Sequence, residues 1–161
     1  MNVVYLSLGS NEGDRTSWLE KALELTAASC CNIAKRSAVY ETAAWGITDQ
    51  PDFLNMAIGI ETMKTPAELL TAILNVETTL GRHRTVKWGP RIIDIDILLY
   101  GAVTMDSPDL IIPHPFMQDR RFILIPLAEI APDVVHPKLH KTIRQLLAEC
   151  PDTLDVHSYK G

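Results

Sequence analysis

The alternation of side chains from Phe53 to Glu61 is the feature that most constrains how this chain can fold. Large apolar residues stand at every second position, and successive side chains of a β-strand point to opposite faces of a sheet. The pattern therefore predicts a strand with only one face in the core. The core face carries Leu54, Met56, Ile58 and Ile60, and the other face carries Phe53, Asn55, Ala57 and Gly59.

The segment that follows has both the start and the stop signals of a helix. Thr65 is the predicted N-cap, and Pro66 stands at the first helical position. Glu68 completes a capping box, and Gly81 ends the helix. The predicted apolar stripe consists of Leu69, Leu70, Ile73, Leu74 and Leu80.

The other predicted elements complete a β-α-β-β-α-β order. This is the ferredoxin-like arrangement, an α+β fold with an antiparallel sheet, both helices on one face, and the other face open for an active site. We expect a C-terminal hairpin to about Ile112 and two further helices beyond this core. The remaining segments are strands Val3 to Leu8, Ile33 to Tyr40 and Ile93 to Tyr100, a first helix with Ser17 and Glu20 as its capping box, and helices Phe122 to Ile130 and Thr142 to Cys150.

Composition limits the possible classes of protein. The 161 residues are 47% hydrophobic, enough for one real core, and we expect a single domain over 1–161. A net charge of −5 argues against a nucleic-acid or membrane partner held by bulk electrostatics. Three cysteines without a CxxC pair provide neither a disulfide framework nor a zinc knuckle, which indicates a reducing compartment, the cytoplasm.

The strand around Asp94 and Asp96 carries the strongest chemical signal. Alternation places Ile93, Ile95, Ile97 and Leu99 on the core face, so both carboxylates point to the opposite face. Two adjacent carboxylates on a strand suit Mg²⁺, which takes one or two protein carboxylates together with water and phosphate oxygens. The alternative is an ordinary amphipathic strand whose acidic face is solvated.

The segment from Gly81 to Arg91 favours the metal interpretation. It is bounded by Gly and Pro, has no amphipathic period, and reads as a loop. A cationic loop that leads into paired carboxylates fits a site for a polyphosphate and its metal, because guanidinium groups bind phosphate oxygens in a bidentate manner. The cations of this loop include Arg82, Arg84, Lys87 and Arg91.

Other residues are weaker candidates. Phe53 and Asn55 could stack on and hydrogen-bond a flat heterocycle. Glu77 falls on the apolar side of its helix, as either a boundary residue or a ligand contact. His114 is held between two prolines, which fixes its backbone. The turn at Gly9 to Gly13 lacks the Walker pattern and is interpreted as an ordinary strand-to-helix connection.

A set of short motifs spread over nearly the whole chain resembles the 6-hydroxymethyl-7,8-dihydropterin pyrophosphokinase family. The string Gly-Pro-Arg-x-x-Asp-x-Asp at 89–96 is the most specific of them. The others are Leu8-Gly9-Ser10-Asn11, Tyr40-Glu41-Thr42, Gln50-Pro51-Asp52-Phe53-Leu54-Asn55, Pro113-His114-Pro115 and Arg120-Arg121-Phe122.

The resemblance implies that MgATP transfers its terminal pyrophosphoryl unit to the hydroxymethyl oxygen of a reduced pterin, releasing AMP, in folate biosynthesis. It implies two Mg²⁺ ions on Asp94 and Asp96, with Arg82 and Arg91 stabilising charge on the transferred group. A single-function monomer is expected. The implied pterin residues are Thr42, Ala43, Trp45, Phe53, Asn55 and Phe122, and the implied ATP residues are Glu77, Arg84, Trp88, Ile97, His114 and Arg120.

Three positions depart from the family pattern. Phe53 stands where members often carry Tyr, Leu74 replaces a polar nucleotide contact, and Asp109 replaces a basic residue. The alternative class is a non-catalytic ferredoxin-like module that binds a small ligand or RNA. RNA-recognition motifs share the element order, but their basic aromatic strand is replaced here by a strand with two acids.

Overall fold

The computed structural model describes residues 1–30, 32–42, 51–81 and 92–160. Its central sheet has six strands in the order β5-β1-β4-β3-β8, with β2 also paired to β4, and β6 and β7 form a separate pair. The strands are β1 (Asn2–Ser10), β2 (Asn32–Arg36), β3 (Tyr40–Thr42), β4 (Phe53–Thr62), β5 (Asp94–Tyr100), β6 (Met105–Asp106), β7 (Ile111–Ile112) and β8 (Val156–Ser158), and the helices are α1 (Arg15–Cys30), α2 (Pro66–Thr79), α3 (Arg121–Ile130) and α4 (Ile143–Glu149).

Strands β1 and β4 form the centre of the sheet and pair antiparallel from Asn2 opposite Thr62 to Ser10 opposite Leu54. The predicted alternation of β4 is confirmed. Its four large apolar side chains are buried in one cluster with residues of β1, β5, α1 and α2. This first face of the sheet is therefore the covered face that the sequence required.

The second face of the sheet is half covered, so the expectation of an open face is wrong for that half. Helices α3 and α4 contribute Ile123, Leu127 and Ile143 to a second buried cluster, together with Tyr5 and Ala57 of the sheet. The helical stripe of α3 is apolar enough to need burial, and the second face offers the apolar surface. The end of the second face at which β4 and β5 begin lies beyond this cluster.

The predicted strand from Ile33 to Tyr40 is instead two strands, β2 and β3. Ser37 causes the break, because its hydroxyl accepts the N–H of Ala57 at 2.9 Å and donates to the carbonyl of Ala38 at 2.7 Å. A side chain that takes over a ladder hydrogen bond interrupts the regular pairing. The two strands still share β4 as their neighbour.

Strand β5 contains an irregularity that changes the face of its last residues. The pairing with β1 passes from Ile97 opposite Leu6 to Leu99 opposite Tyr5, which leaves Leu98 without a partner in the register. Because an extra residue shifts the alternation by one, Leu99 lies in the second cluster and Tyr100 in the first. The prediction that Leu99 shares the face of Ile97 is therefore wrong.

The helix ends follow local chemistry. The capping box of α2 is confirmed, with the Thr65 hydroxyl accepting from Glu68 N–H and Glu68 accepting from Thr65 N–H. Helix α1 begins at Arg15, two residues before the predicted Ser17, because Asp14 Oδ1 accepts the N–H of Ser17 and is the actual cap. Within the described residues, none of the helices has the length and apolar character needed to cross a membrane.

Candidate active site

The strand register places polar residues in a row across the second face. Gly9 of β1 lies between Asn55 of β4 and Asp94 of β5. The next row contains Ala57, Ser7 and Asp96. Directly paired residues of antiparallel strands share a face, so both carboxylates lie on the same face as Asn55. The sequence-predicted metal residues and heterocycle residues are thus separated by one strand.

Gly9 gives the Asn55 side chain its place. A Cβ atom at Gly9 would lie 2.7 Å from Asn55 Oδ1, so the carboxamide lies directly over the glycine. Asn55 is 4% exposed, and its Nδ2 has no hydrogen-bond partner within the described part of the chain. A buried amide donor of this kind is normally satisfied by a partner. The amide can donate to an acceptor on the edge of a bound heterocycle.

Thr42 and Phe53 flank Asn55 on the neighbouring strand ends. They are register partners in the β3–β4 pair. The hydroxyl of Thr42 donates to the carbonyl of Asp155 at 3.1 Å, and the residue is buried. Its side chain therefore has a structural role. Phe53 is half-buried and its ring edge comes within 3.7 Å of the position of a Gly9 Cβ atom. Phe53 therefore presents an aromatic surface beside Asn55.

A second aromatic residue comes from α3. Phe122 lies half-buried in the first turn of this helix. The Arg120 guanidinium carbon lies 5.8 Å from the centre of the Phe122 ring and 5.1 Å from that of Phe116. These are cation–π distances. Arg120 is thus placed between the Phe122 region and the segment that contains His114.

A cleft of about 610 Å³ lies along the outer edge of β5, between α2 and the β6–β7 hairpin. Its size suits a small-molecule ligand. Asp96 reaches it from the sheet, and Glu77, Ile97 and His114 also line it, so four predicted site residues meet here. Two of the departures from the family pattern, Leu74 and Asp109, form part of the same wall.

Glu77 is buried and holds the backbone of β5. Its Oε2 accepts the N–H of Ile95 at 2.8 Å, and the residue is 3% exposed. Ile95 lies between the two aspartates, and β5 is an edge strand whose outward N–H needs an acceptor. Glu77 therefore fixes the strand at the point where the carboxylates project.

His114 is neutral at ordinary pH. Burial lowers its pKa to about 4, the charge of Arg120 adds to that effect, and the charge of Asp94 opposes it. Its Nδ1 accepts the N–H of Phe116 at 3.1 Å, so the ring proton resides on Nε2. Its backbone N–H donates to Leu98 on β5. His114 can thus offer one N–H donor at the cleft.

Six predicted site residues lie outside the described residues: Arg82, Arg84, Trp88, Arg91, Ala43 and Trp45. Sequence reasoning also missed two residues that shape the site. Gly9 and Asn11 were assigned to an ordinary turn, yet Gly9 supports Asn55, and Asn11 Nδ2 donates to the carbonyl of Pro51 at 3.0 Å. A glycine at the end of a strand, where close approach to a neighbour is needed, was the available signal.

The donor set at Asp94 and Asp96 fits Mg²⁺ better than an enclosed metal. No group of three or more His, Cys, Asp or Glu side chains that could hold an ion occurs in residues 1–30, 32–42, 51–81 and 92–160. Two half-buried carboxylates, of which Asp96 lines the cleft, leave most ligand positions to water and phosphate. The residues present therefore fit an ion that is shared with a phosphorylated ligand.

Comparisons with known proteins agree on one family. Its model, described as 7,8-dihydro-6-hydroxymethylpterin-pyrophosphokinase (HPPK), matches residues 5–132. A relative from Methylorubrum extorquens, named 2-amino-4-hydroxy-6-hydroxymethyldihydropteridine pyrophosphokinase, is 47% identical over 150 residues, which cover 92% of this chain and 94% of the relative. A relative of the same name from Aquifex aeolicus is 46% identical over 149 residues, with 92% of each covered.

Solved structures show the same fold. A Plasmodium falciparum HPPK-DHPS structure with pteroate superposes with a TM-score of 0.78 at 20% identity, covering 92% of this chain and 42% of that one. The chain thus spans about two-fifths of the length of that fusion. The polar row on the sheet, the cleft beside β5 and the family match lead to one conclusion. The chain belongs to the 7,8-dihydro-6-hydroxymethylpterin-pyrophosphokinase family.

Proposed function

We infer that this protein is an ATP-dependent diphosphotransferase of folate biosynthesis. It transfers the pyrophosphoryl group of ATP to the hydroxymethyl group of 6-hydroxymethyl-7,8-dihydropterin and releases AMP. One observation supports the assignment to this site. The Asn55 amide, which has no hydrogen-bond partner among the described residues, lies one strand away from Asp94 on the same face of the sheet. A heterocycle held at Asn55 would present its substituent toward the carboxylates.

The pterin half of the proposed site is formed by Phe53, Asn55 and Phe122. The two rings would stack on the flat ring system, and Asn55 would read its edge. The backbone of Thr42 is the proposed further contact, because its hydroxyl is already bonded to Asp155. Ala43 and Trp45 belong to the proposal from the sequence alone.

The nucleotide half of the proposed site is the cleft beside β5. His114 offers its Nε2–H as a donor to a ribose or phosphate oxygen, and Ile97 and Leu74 give an apolar wall to the base. Arg120 adds positive charge near His114, since its guanidinium carbon lies 5.1 Å from the centre of the Phe116 ring, which is itself 6.1 Å from that of His114. Glu77 lines the same wall while it holds β5. Arg84 and Trp88 remain nucleotide contacts proposed from the sequence.

The catalytic residues of the proposal are Asp94, Asp96, Arg82 and Arg91. The aspartates would hold two Mg²⁺ ions, which neutralise phosphate charge and favour departure of AMP when bound. The fixed backbone at Ile95 orients both carboxylates before substrate arrives. Arg82 and Arg91 would stabilise charge that develops on the transferred group.

Several finer assignments accompany this proposal. The order β5-β1-β4-β3, with α1 and α2 on one face, supports a ferredoxin-like core to which a hairpin and C-terminal helices are added. Both clusters share this one sheet, which supports a single pyrophosphokinase domain over 1–161. We also propose a monomer that acts in the cytoplasm, in line with the cysteine pattern.

The leaving nucleotide tests the function. The protein is incubated with MgATP and 6-hydroxymethyl-7,8-dihydropterin, and the nucleotides are separated. Pterin-dependent AMP is the expected product. ADP would indicate attack at the γ-phosphorus, the reaction of an ordinary kinase, and no turnover would revive the non-catalytic module.

A further inference from the structure

Arg15 joins two parts of the chain that flank the pterin half of the site. It is the first residue of α1, and its Nη1 donates at 2.9 Å both to Glu41 Oε2 and to the carbonyl of Asp52. Glu41 belongs to β3, and Asp52 immediately precedes β4. A single guanidinium nitrogen therefore links the end of one strand to the start of the next.

The turn before α1 adds a second link to the same place. Asn11 is 1% exposed and donates from Nδ2 to the carbonyl of Pro51 at 3.0 Å. The carbonyls of two successive residues, Pro51 and Asp52, thus accept from the turn after β1 and from the first residue of α1. These two side chains fix the residues that precede β4, in addition to the pairing of the sheet.

The C-terminal strand β8 packs against this arrangement. His157 Nε2 lies 3.4 Å from Glu41 Oε1, on the oxygen that Arg15 does not use. The Tyr159 ring centre lies 5.5 Å from the Arg15 guanidinium carbon. The side chains of Arg15 and Glu41 are each only 22% exposed, and the hydrogen bond from Arg15 holds the pKa of Glu41 below its usual value.

The linked residues are sequence neighbours of the proposed pterin residues. Thr42 follows Glu41, Phe53 follows Asp52, and Thr42 and Phe53 face each other in the register. Fixing Glu41 and Asp52 therefore also fixes their neighbours Thr42 and Phe53, which are two of the proposed pterin contacts. We propose that Arg15 is a positioning residue for the pterin half of the site, acting through Glu41 and Asp52 without touching substrate. This inference rests on the proposed function.

An arginine suits this position for two reasons. The two N–H groups of Nη1 point in fixed directions and can each serve one acceptor, and the planar guanidinium lies over the Tyr159 ring, whereas an ammonium group is a single strongly hydrated charge. Exposed pairs such as Arg144 with Asp133, whose side chains are 68% and 82% exposed, contribute little to a fold. The Arg15 pair is partly shielded and shares its donor with a backbone carbonyl, so its loss should change geometry and not only net charge.

Arg15→Met tests the proposal, with Arg144→Met as the control that removes an equal charge at the surface. In steady-state assays of AMP release, Arg15→Met should raise the KM for pterin about ten-fold, as expected for the loss of charge-assisted hydrogen bonds. The KM for ATP should stay within about two-fold of the wild-type value, since none of the contacts that Arg15 makes with the described residues involves the lining of the β5 cleft. Arg144→Met should change neither constant.

Further variants keep the test decisive. Arg15→Lys retains the charge and should give a smaller rise in pterin KM than Arg15→Met. Glu41→Gln retains the side-chain volume and removes the ion pair, so it should also raise pterin KM selectively, and it serves if Arg15→Met does not fold. Equal rises in both KM values, or an unchanged pterin KM in the folded variants, would overturn the positioning role. Wild-type protein that releases no pterin-dependent AMP would instead overturn the proposed function.

Discussion

Asn55 is both a residue of the central sheet and part of the candidate site. Its carboxamide covers Gly9 so closely that a Cβ atom there would approach Oδ1 to 2.7 Å. Its Nδ2 is buried without a partner in the described residues, which is costly unless a ligand accepts from it. The Asn55 side chain therefore packs against Gly9 in the sheet and has an amide donor that a ligand can accept from.

We expect Asn55→Ala to weaken pterin binding by about 1–3 kcal/mol, because a buried polar contact to the ligand is lost. MgATP affinity should be nearly unchanged, since Asn55 does not line the β5 cleft. Calorimetric titration with a stable pterin analogue, and separately with an ATP analogue, measures both. An unchanged pterin affinity would contradict the assignment of this face.

Asp94→Asn and Asp96→Asn should each nearly abolish AMP release while the protein stays folded. An amide keeps the volume of the carboxylate but loses the charge that holds Mg²⁺. Asp106→Asn on β6 is the matched control, because Asp106 is an exposed aspartate outside the lining of the cleft. Circular dichroism would verify folding. Normal turnover in either site variant would show that the substituted carboxylate is not a metal ligand.

At the scale of elements, the capped helices illustrate stability that is separate from the site. Thr65 is the N-cap of α2 and Thr142 is that of α4, and both helices have complete capping boxes. Each box satisfies backbone N–H groups that have no partner within the helix. Helix α2 also supplies Glu77 and Leu74 to the cleft, but its cap lies at the opposite end of the helix from Glu77.

Thr65→Ala should therefore lower the free energy of unfolding by about 1 kcal/mol without changing the KM for ATP. Thr142→Ala should have a similar cost, since its side chain makes the equivalent bond to Gln145 N–H. Denaturant unfolding and steady-state kinetics on both variants provide the comparison. A large change in ATP binding for Thr65→Ala would mean that loss of the cap also disturbs the end of α2 that lines the cleft.

Sequence patterns predicted the elements whose signals are local. The β4 alternation and the α2 cap depend on neighbouring residues, and both are confirmed. The break at Ser37, the bulge at Leu98 and the strand β8 depend on partners far along the chain. Tertiary contacts of that kind leave no period in the sequence.

The candidate site divides in the same way. The shared face of Asp94, Asp96 and Asn55 follows from strand periodicity once the register is known. The hydrogen bond that Ile95 N–H donates to Glu77 could not be predicted, because spacing alone did not decide whether Glu77 was a boundary residue or a ligand contact. Likewise, the burial that lowers the His114 pKa arises only in the folded chain, where His114 lines the cleft beside β5.

At the scale of the whole molecule, the half-buried His114 and the buried His136 should make stability depend on pH. The folded-state pKa of His114 is about 4, below its ordinary value of 6.5, and burial also lowers that of His136. The unfolded chain therefore binds more protons between these two values. The stabilisation is complete above about pH 6.5 and is lost as the pH falls toward about 4.

Urea unfolding without Mg²⁺ or nucleotide should show this dependence. His114 alone should contribute a slope of up to about 1.4 kcal/mol per pH unit in that window. His114→Asn should reduce the slope, and the contribution of His136 should remain in that variant. Identical slopes in both proteins would mean that folding does not lower the pKa of His114.

The contact between Gly9 and Asn55 has a consequence for how such a protein can diverge. A change in specificity at the proposed pterin half would require substitution of Gly9 or Asn55. A side chain at Gly9 would clash with Asn55 within the sheet, and a smaller residue at position 55 would expose Gly9. Leu74, by contrast, is 44% exposed and Ile111 is 39% exposed, and both line the β5 cleft. Exposed side chains accept substitution at little cost in stability. Inhibitors that depend on the Gly9–Asn55 contact would therefore leave few routes to resistance, whereas those that reach only the cleft wall would leave many.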